Sequence, residues 1–213
     1  MPGKQITQRG KPYLNIVGGN FVQTVDKNTD GAKLREWELK DGTKGNKWEL
    51  VYMNWSGIIQ DIRFEEGDYG KMCLIDVGDA ILSLNTSSNY FTDFASKLPN
   101  GDLKKEFLFH PFCMDNGDKI FKGISLQQNG EKLKNFYRQD GKNLHDFPQV
   151  NETEKEEMGK DYWKTYFIKV KLFLIKELQK LSFEKVTVNM ITAELKEVDA
   201  STIPDQEDLP WEK

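Results

Sequence analysis

The sequence predicts a mainly β domain with accessory helices, on three observations. Turn signals recur at short intervals, at Gly18-Gly19, Asp41-Gly42, Gly45-Asn46, Asn116-Gly117, Asn129-Gly130 and Asp140-Gly141. Short alternating or wholly apolar segments lie between them, the pattern of a barrel or sandwich. One apolar stretch, from Asp161 to about Leu181, repeats instead at helical spacing.

Taken in order, Tyr13 to Val17 and Phe21 to Val25 form an N-terminal hairpin across the two glycines. From Lys47, the side chains of Trp48, Leu50 and Tyr52 alternate onto one face. After a break at Ser56-Gly57, Ile58, Ile62 and Phe64 continue as a second strand or as the other half of a bent one. Lys71 to Val77 and Ala80 to Asn85 are two further strands, joined at Gly78-Asp79. Ser87 or Ser88 caps a short helix with Tyr90, Phe91, Phe94 and Leu98 at helical spacing, and Pro99-Asn100-Gly101 stops it. Glu106 to Phe112 and Lys119 to Gln127 are the last pair.

With the bent pair counted as one, the order is three strands, a helix and two strands. That is the order of the OB-fold, a five-stranded, partly open barrel that commonly binds oligonucleotides. The expectation is an OB-fold-like five-stranded barrel over about 46–127, an N-terminal hairpin and a long C-terminal helix at 161–181. Residues 128–150 read as irregular and 152–160 as a charged stretch. In the long helix, Trp163, Phe167, Val170, Leu174 and Leu178 mark one face, widened by Tyr166, Ile168, Phe173 and Ile175. Such breadth predicts burial on most sides, against the barrel or a second subunit, so a homodimer stays open. Phe183 to Met190 reads as one more strand. Residues 1–190 are thus expected as one domain, and 191–213 as a disordered acidic tail.

The net charge of −4 is unevenly placed. Residues 194–213 hold seven acids against Lys196 and Lys213, leaving 28 basic and 27 acidic groups in the rest. A body this close to neutral does not forbid a polyanionic partner. Cys73 and Cys113 sit in apolar strand contexts and read as free thiols rather than a disulfide framework. Neither an apolar run of membrane-spanning length nor a signal peptide is visible, so a reducing cytoplasmic setting is the expectation.

Catalytic motifs are lacking. The two histidines, His110 and His145, accompany no phosphate loop, nucleophile elbow or zinc-protease motif. His110-Pro111-Phe112-Cys113 supplies two of the four ligands a structural zinc wants, so no metal and no cofactor is assigned. Asp26-Lys27-Asn28-Thr29-Asp30-Gly31 reproduces the opening of a calcium loop. Its twelfth position is Trp37 rather than an acid, and a plain Asx-rich turn is the favoured reading.

Rings and cations interleave around the first strands, in Lys33, Arg35, Trp37, Lys44, Lys47, Trp48, Tyr52, Trp55, Arg63 and Lys71. Lys122 on the final strand, and a second patch of Lys132, Lys134, Tyr137 and Arg138, extend the set. Single-stranded nucleic acid is held by this chemistry, bases on rings and phosphates on a basic track. About half of the rings are expected in the core, since alternate residues on a strand face inward. Trp37, between Glu36 and Glu38, is the best candidate for exposure.

The tail carries the most specific pattern. Residues 197–213 show no periodicity and are too polar to offset the entropy of ordering. Yet Asp205, Glu207 and Asp208 run directly into Leu209, Pro210 and Trp211, an apolar anchor on an acidic tether suited to a partner protein.

Asp208-Leu209-Pro210-Trp211 resembles the acidic, proline-plus-aromatic tip of bacterial and phage single-stranded DNA-binding proteins, and the segment from about Tyr13 to Phe136 resembles their phage replication members. The bacterial tip ends on its aromatic residue, whereas Glu212 and Lys213 follow Trp211 here. The resemblance implies a non-enzymatic protein that coats single-stranded DNA in replication, recombination and repair. It further implies that the tail recruits replication and repair proteins and competes with DNA for the basic groove, in a host cytoplasm. A protein-interaction or virion structural module without nucleic-acid binding is the alternative, favoured by the mixed charge of Lys71 to Asp79.

Overall fold

The computed structural model describes residues 10–38, 42–67, 70–117 and 119–181. The elements are β1 (Tyr13–Val17), β2 (Asn20–Thr24), β3 (Lys33–Glu38), β4 (Lys44–Tyr52), β5 (Trp55–Gly57), β6 (Asp61–Gly67), β7 (Gly70–Asp76) and β8 (Ile81–Asn85). There follow α1 (Asn89–Lys97), β9 (Phe107–Asp115), β10 (Ile120–Gln128), the short β11 (Glu131–Lys132), β12 (Arg138–Gln139) and β13 (Lys142–Asn143), then α2 (Glu152–Met158) and α3 (Lys160–Gln179). The protein is mainly β with accessory helices, and carries the expected N-terminal hairpin and long C-terminal helix.

Seven strands form one sheet in the order β3-β4-β2-β1-β8-β7-β6, and four form another in the order β11-β10-β9-β5. The larger sheet is mixed: β1 runs parallel to β8, from Tyr13 opposite Ile81 to Leu14 opposite Leu82. These sheets are not a closed barrel. Where closure would join β8 to β10, β8 instead takes β1 as its neighbour and α1 packs against β10.

The bend falls at Ser56-Gly57 as expected, but the strand that leads into it is a different one. Lys44–Tyr52 is no half of a bent strand, because it pairs with β2 and β3. The strand that passes between sheets is β5 with β6: Trp55–Gly57 pairs with β9, and Asp61–Gly67 pairs with β7. Alternation specifies a strand's faces but not its partner, so the two cases look alike in sequence. Gly57 permits the crossing, since a Cβ there would come within 2.5 Å of the Val77 carbonyl oxygen.

The registers assign every side chain of the large sheet to a face. Leu14, Phe21, Cys73, Ile75, Leu82 and Leu84 point inward to the main core, with Phe91 and Phe94 of α1 and Phe107 and Phe109 of β9. Ser88 caps α1 through its Oγ, which accepts from the Phe91 N–H at 3.2 Å. The other face bears Val22, Leu74 and Ile81, which are buried but stand outside that core.

The long helix is less enclosed than its composition predicts. Tyr162, Tyr166, Val170, Leu174, Ile175 and Leu178 are buried, while Trp163, Phe167, Ile168 and Leu172 are exposed, Phe167 at 62%. Tyrosine takes the inner row because its hydroxyl finds partners there. The Tyr162 hydroxyl accepts from Asn151 N–H at 2.7 Å, and that of Tyr166 donates to the Pro148 carbonyl at 3.1 Å. Residues 128–150 are not irregular throughout, for they hold β11 and the β12–β13 hairpin. The charged stretch becomes α2, capped by Asn151, whose side chain accepts from Thr153 and Glu154. The expected strand at Phe183 to Met190 and the acidic tail lie outside the described residues. Among the described residues no helix is long and apolar enough to cross a membrane.

Candidate nucleic-acid interface

Because side chains alternate, the outer face of the large sheet follows from the core. Register places Lys33, Arg35 and Trp37 of β3 there, with Gly45, Lys47 and Glu49 of β4 opposite them. Tyr13 of β1 occupies the middle, and Arg63 and Glu65 of β6 the far edge. Val22, Leu74 and Ile81 floor the face between these edges. Cations thus stand at both sides of an apolar floor, with an aromatic ring at each end of the β3-to-β1 span.

The electrostatics are more balanced than the cations alone imply. Arg35 is clamped by Glu49, Nε to Oε2 at 2.6 Å and Nη2 to Oε1 at 2.7 Å, and the carboxylate beneath it is 3% exposed. Hydrogen bonding to Glu49 raises the arginine's pKa above its ordinary value, against the opposing effect of burial. Arg63 donates to Glu65 at 2.9 Å and to the Tyr13 hydroxyl at 3.3 Å, and the Glu65 bond raises its pKa likewise. Lys11 is held by Asp76 at 2.7 Å. Lys33 and Lys47 make no ion pair among the described residues, and they are the cations this face has to offer.

The sequence does not mark Tyr13, because its neighbours read as an ordinary hairpin. It is 48% exposed. The signal available was its place on β1 opposite the inward Leu14 and Ile16, which turns it outward.

Trp37 is not the free ring expected. It is half-buried and lies on the backbone of Gly45, where an added Cβ would fall 2.4 Å from the ring's Cζ2. Its indole N–H is buried without a hydrogen-bond partner among the described residues. Cross-strand pairing of an aromatic ring with glycine shields the bare backbone, and this explains why the ring lies down.

Other expected contacts fall away from the outer face. Trp48 and Tyr52 belong to the inner side of β4; Tyr52 packs on the core, and its hydroxyl donates to Gln23 at 3.2 Å. Trp55 packs edge-on against Tyr52 at 5.0 Å between centroids, and donates its N–H to Asp79 at 3.1 Å. Lys44 pairs with Glu38 on the inner side, and Lys71 with Glu66 at the β6–β7 end. Tyr137 is a core residue, 4% exposed, whose phenol is pushed up to about 12 by burial and by Glu177. For Trp48 and Tyr52 the cause is register: a ring on a strand faces the core or the solvent according to it, which spacing alone leaves undecided.

Lys122 is exposed on the β9–β10 hairpin, beside Phe121, which is 48% exposed and stands opposite Met114 at 58%. Lys132, Lys134 and Arg138 are exposed around a groove of about 720 Å³ beneath β11. The tail residues Asp205, Glu207, Asp208, Leu209, Pro210 and Trp211 lie outside the described residues.

Among the described residues no three His, Cys, Asp or Glu side chains gather as metal ligands. Asp26 to Gly31 is a hydrogen-bonded turn, with Thr29 N–H on the Asp26 carbonyl at 3.0 Å and Gly31 at φ +75°. Cys73 is buried and Cys113 half-buried, both free, and desolvation raises the Cys73 thiol far above its usual range. Compared with known proteins, the chain matches no family model, no curated protein and no solved structure.

Proposed function

We propose that this protein binds single-stranded DNA with little sequence preference, coating it during replication, recombination or repair without itself catalysing a reaction. The observation that carries this reading is the outer face of the large sheet, where Tyr13 stands on an apolar floor with Lys33 and Lys47, unpaired among the described residues, to one side. Bases stack on rings whatever their identity, and lysines track phosphates. The order β6, β7, β8, α1, β9, β10, with β5 and β6 as the bent first strand, supports an OB-fold-like arrangement whose closure has been diverted to β1. In such folds the face of the second and third strands and the last hairpin's loop hold the ligand. Here those positions fall on β7–β8 and on the hairpin bearing Phe121 and Lys122.

The tail then serves recruitment. Leu209, Pro210 and Trp211 on their acidic tether dock replication or repair proteins, and the acids compete with DNA for the basic face. A second reading, a protein-interaction module, is favoured by a specific observation: Arg35 and Arg63 are already neutralised, and Trp163, Phe167, Ile168 and Leu172 present an apolar strip on α3. That strip equally suits a second copy of the chain.

Titration with oligo-dT at two salt concentrations separates the readings. Binding that weakens steeply with salt, with quenching of tryptophan fluorescence, is the expected result. An absence of both quenching and mobility shift at low salt overturns it.

A further inference from the structure

We propose that Phe136 and His145 form a base-stacking platform, and that the groove of Lys132, Lys134 and Arg138 beside it holds the phosphates of the same single strand. This rests on the single-stranded DNA reading above and adds a contact site to the one at Tyr13.

The platform is built, not incidental. The two rings stack with centroids 4.0 Å apart and planes 9° apart, and His145 is exposed, which leaves its far face to water. Behind them stand Tyr137 and Phe147, stacked at 5.6 Å and both edge-on to Phe173 of α3. Each outward ring is therefore tied to a buried one, Phe136 directly before Tyr137 and His145 two residues before Phe147. The Phe136 N–H donates to the Ser96 carbonyl at 2.7 Å, fixing it to α1. The Asn135 side chain accepts from the N–H groups of Tyr137 and Arg138 at 2.9 and 2.8 Å.

His145 and Asp146 both adopt positive φ, +52° and +57°. Two successive non-glycine residues in that region are held there by their surroundings, and such backbone gathers at binding sites. The Leu144 N–H on the Tyr137 carbonyl at 2.8 Å and the Phe147 N–H on the Leu144 carbonyl at 3.1 Å clamp the turn. The result is an imidazole laid flat on a phenyl ring at the mouth of the groove.

The groove's charge fits a polyanion. Lys132, Lys134 and Arg138 line it against Asp140, and the three cations make no ion pair among the described residues. An acidic peptide would use the cations and leave the ring plane idle. A nucleotide strand uses both, by stacking and by charge.

The test uses the full chain and a dT oligonucleotide carrying one 2-aminopurine, whose fluorescence falls on stacking. His145→Ala is expected to weaken binding at least about fivefold and to remove much of the quenching, while His145→Phe restores both. Lys134→Ala with Arg138→Ala is expected to lower the salt dependence with quenching partly kept. Urea midpoints confirm that the variants remain folded. If the wild-type chain binds and His145→Ala matches it in affinity and quenching, the platform is overturned while the function stands. If the wild-type chain binds no oligonucleotide, both fall.

Discussion

The Arg35 guanidinium grips the Glu49 carboxylate with two hydrogen bonds, at 2.6 and 2.7 Å, across neighbouring strands β3 and β4. An arginine that sequence places among phosphate-binding cations is thus held by a carboxylate only 3% exposed. Arg35→Ala leaves that carboxylate buried and unpaired. A loss of about 2 kcal/mol in urea-unfolding free energy is expected, less than for a fully buried pair because the arginine is one-third open to water. Glu49→Gln releases the cation instead. It is expected to tighten oligo-dT binding severalfold and to steepen the salt dependence, read in the same titration.

Lys33 and Lys47 are the outer-face cations with no acidic partner among the described residues, and Tyr13 is that face's exposed ring. Lys33→Ala and Lys47→Ala should each reduce the slope of log affinity against log salt by about one. Tyr13→Ala should cost about 1–3 kcal/mol of binding at any salt, because stacking is not screened. Unchanged slopes in both lysine variants would move the interface off this face.

Under the proposed function, deleting residues 197–213 would remove a competing polyanion as well as the apolar anchor. Oligo-dT affinity is expected to hold or rise, with the largest gain at low salt, where charge acts furthest. A clear loss of affinity would mean that the tail helps to bind DNA.

Tyr137 gives a handle on the packing beneath the groove. Its phenol titrates near 10 in the unfolded chain and is pushed up to about 12 in the fold by burial and Glu177. Above pH 10 the unfolded state therefore holds fewer protons than the native one. The stabilisation is present in full below pH 10 and is lost as pH rises towards 12. Tyr137→Phe is expected to flatten that part of the decline in urea midpoint, and Tyr137→Ala to destabilise by about 3 kcal/mol or more at neutral pH.

Local signals were legible where they are self-contained. Gly18 and Gly19, at φ +56° and +81°, make the first hairpin turn, and Ser88 starts α1 through its own hydroxyl. Of the candidate site, Lys33, Lys47 and Arg63 were found as cations and are on the outer face. Trp48, Tyr52 and Tyr137, contacts by their sequence pattern, are turned inward, while nothing in the sequence marks Tyr13, Phe136 or His145. A ring is equally suited to a core and to a base, so residue type could not sort them.

By itself the sequence determined the mainly β class, the first hairpin, α1, the last hairpin, the long helix and the separation of charge between body and tail. Each depends on contacts within a few residues, or on counting. Only the tertiary structure decided that Lys44–Tyr52 joins the N-terminal hairpin, that β8 pairs with β1, and that one face of the sheet gathers Tyr13 with Lys33, Lys47 and Arg63. Strand partners are chosen by packing between distant segments, and a shift of one residue in register would exchange the buried face for the open one.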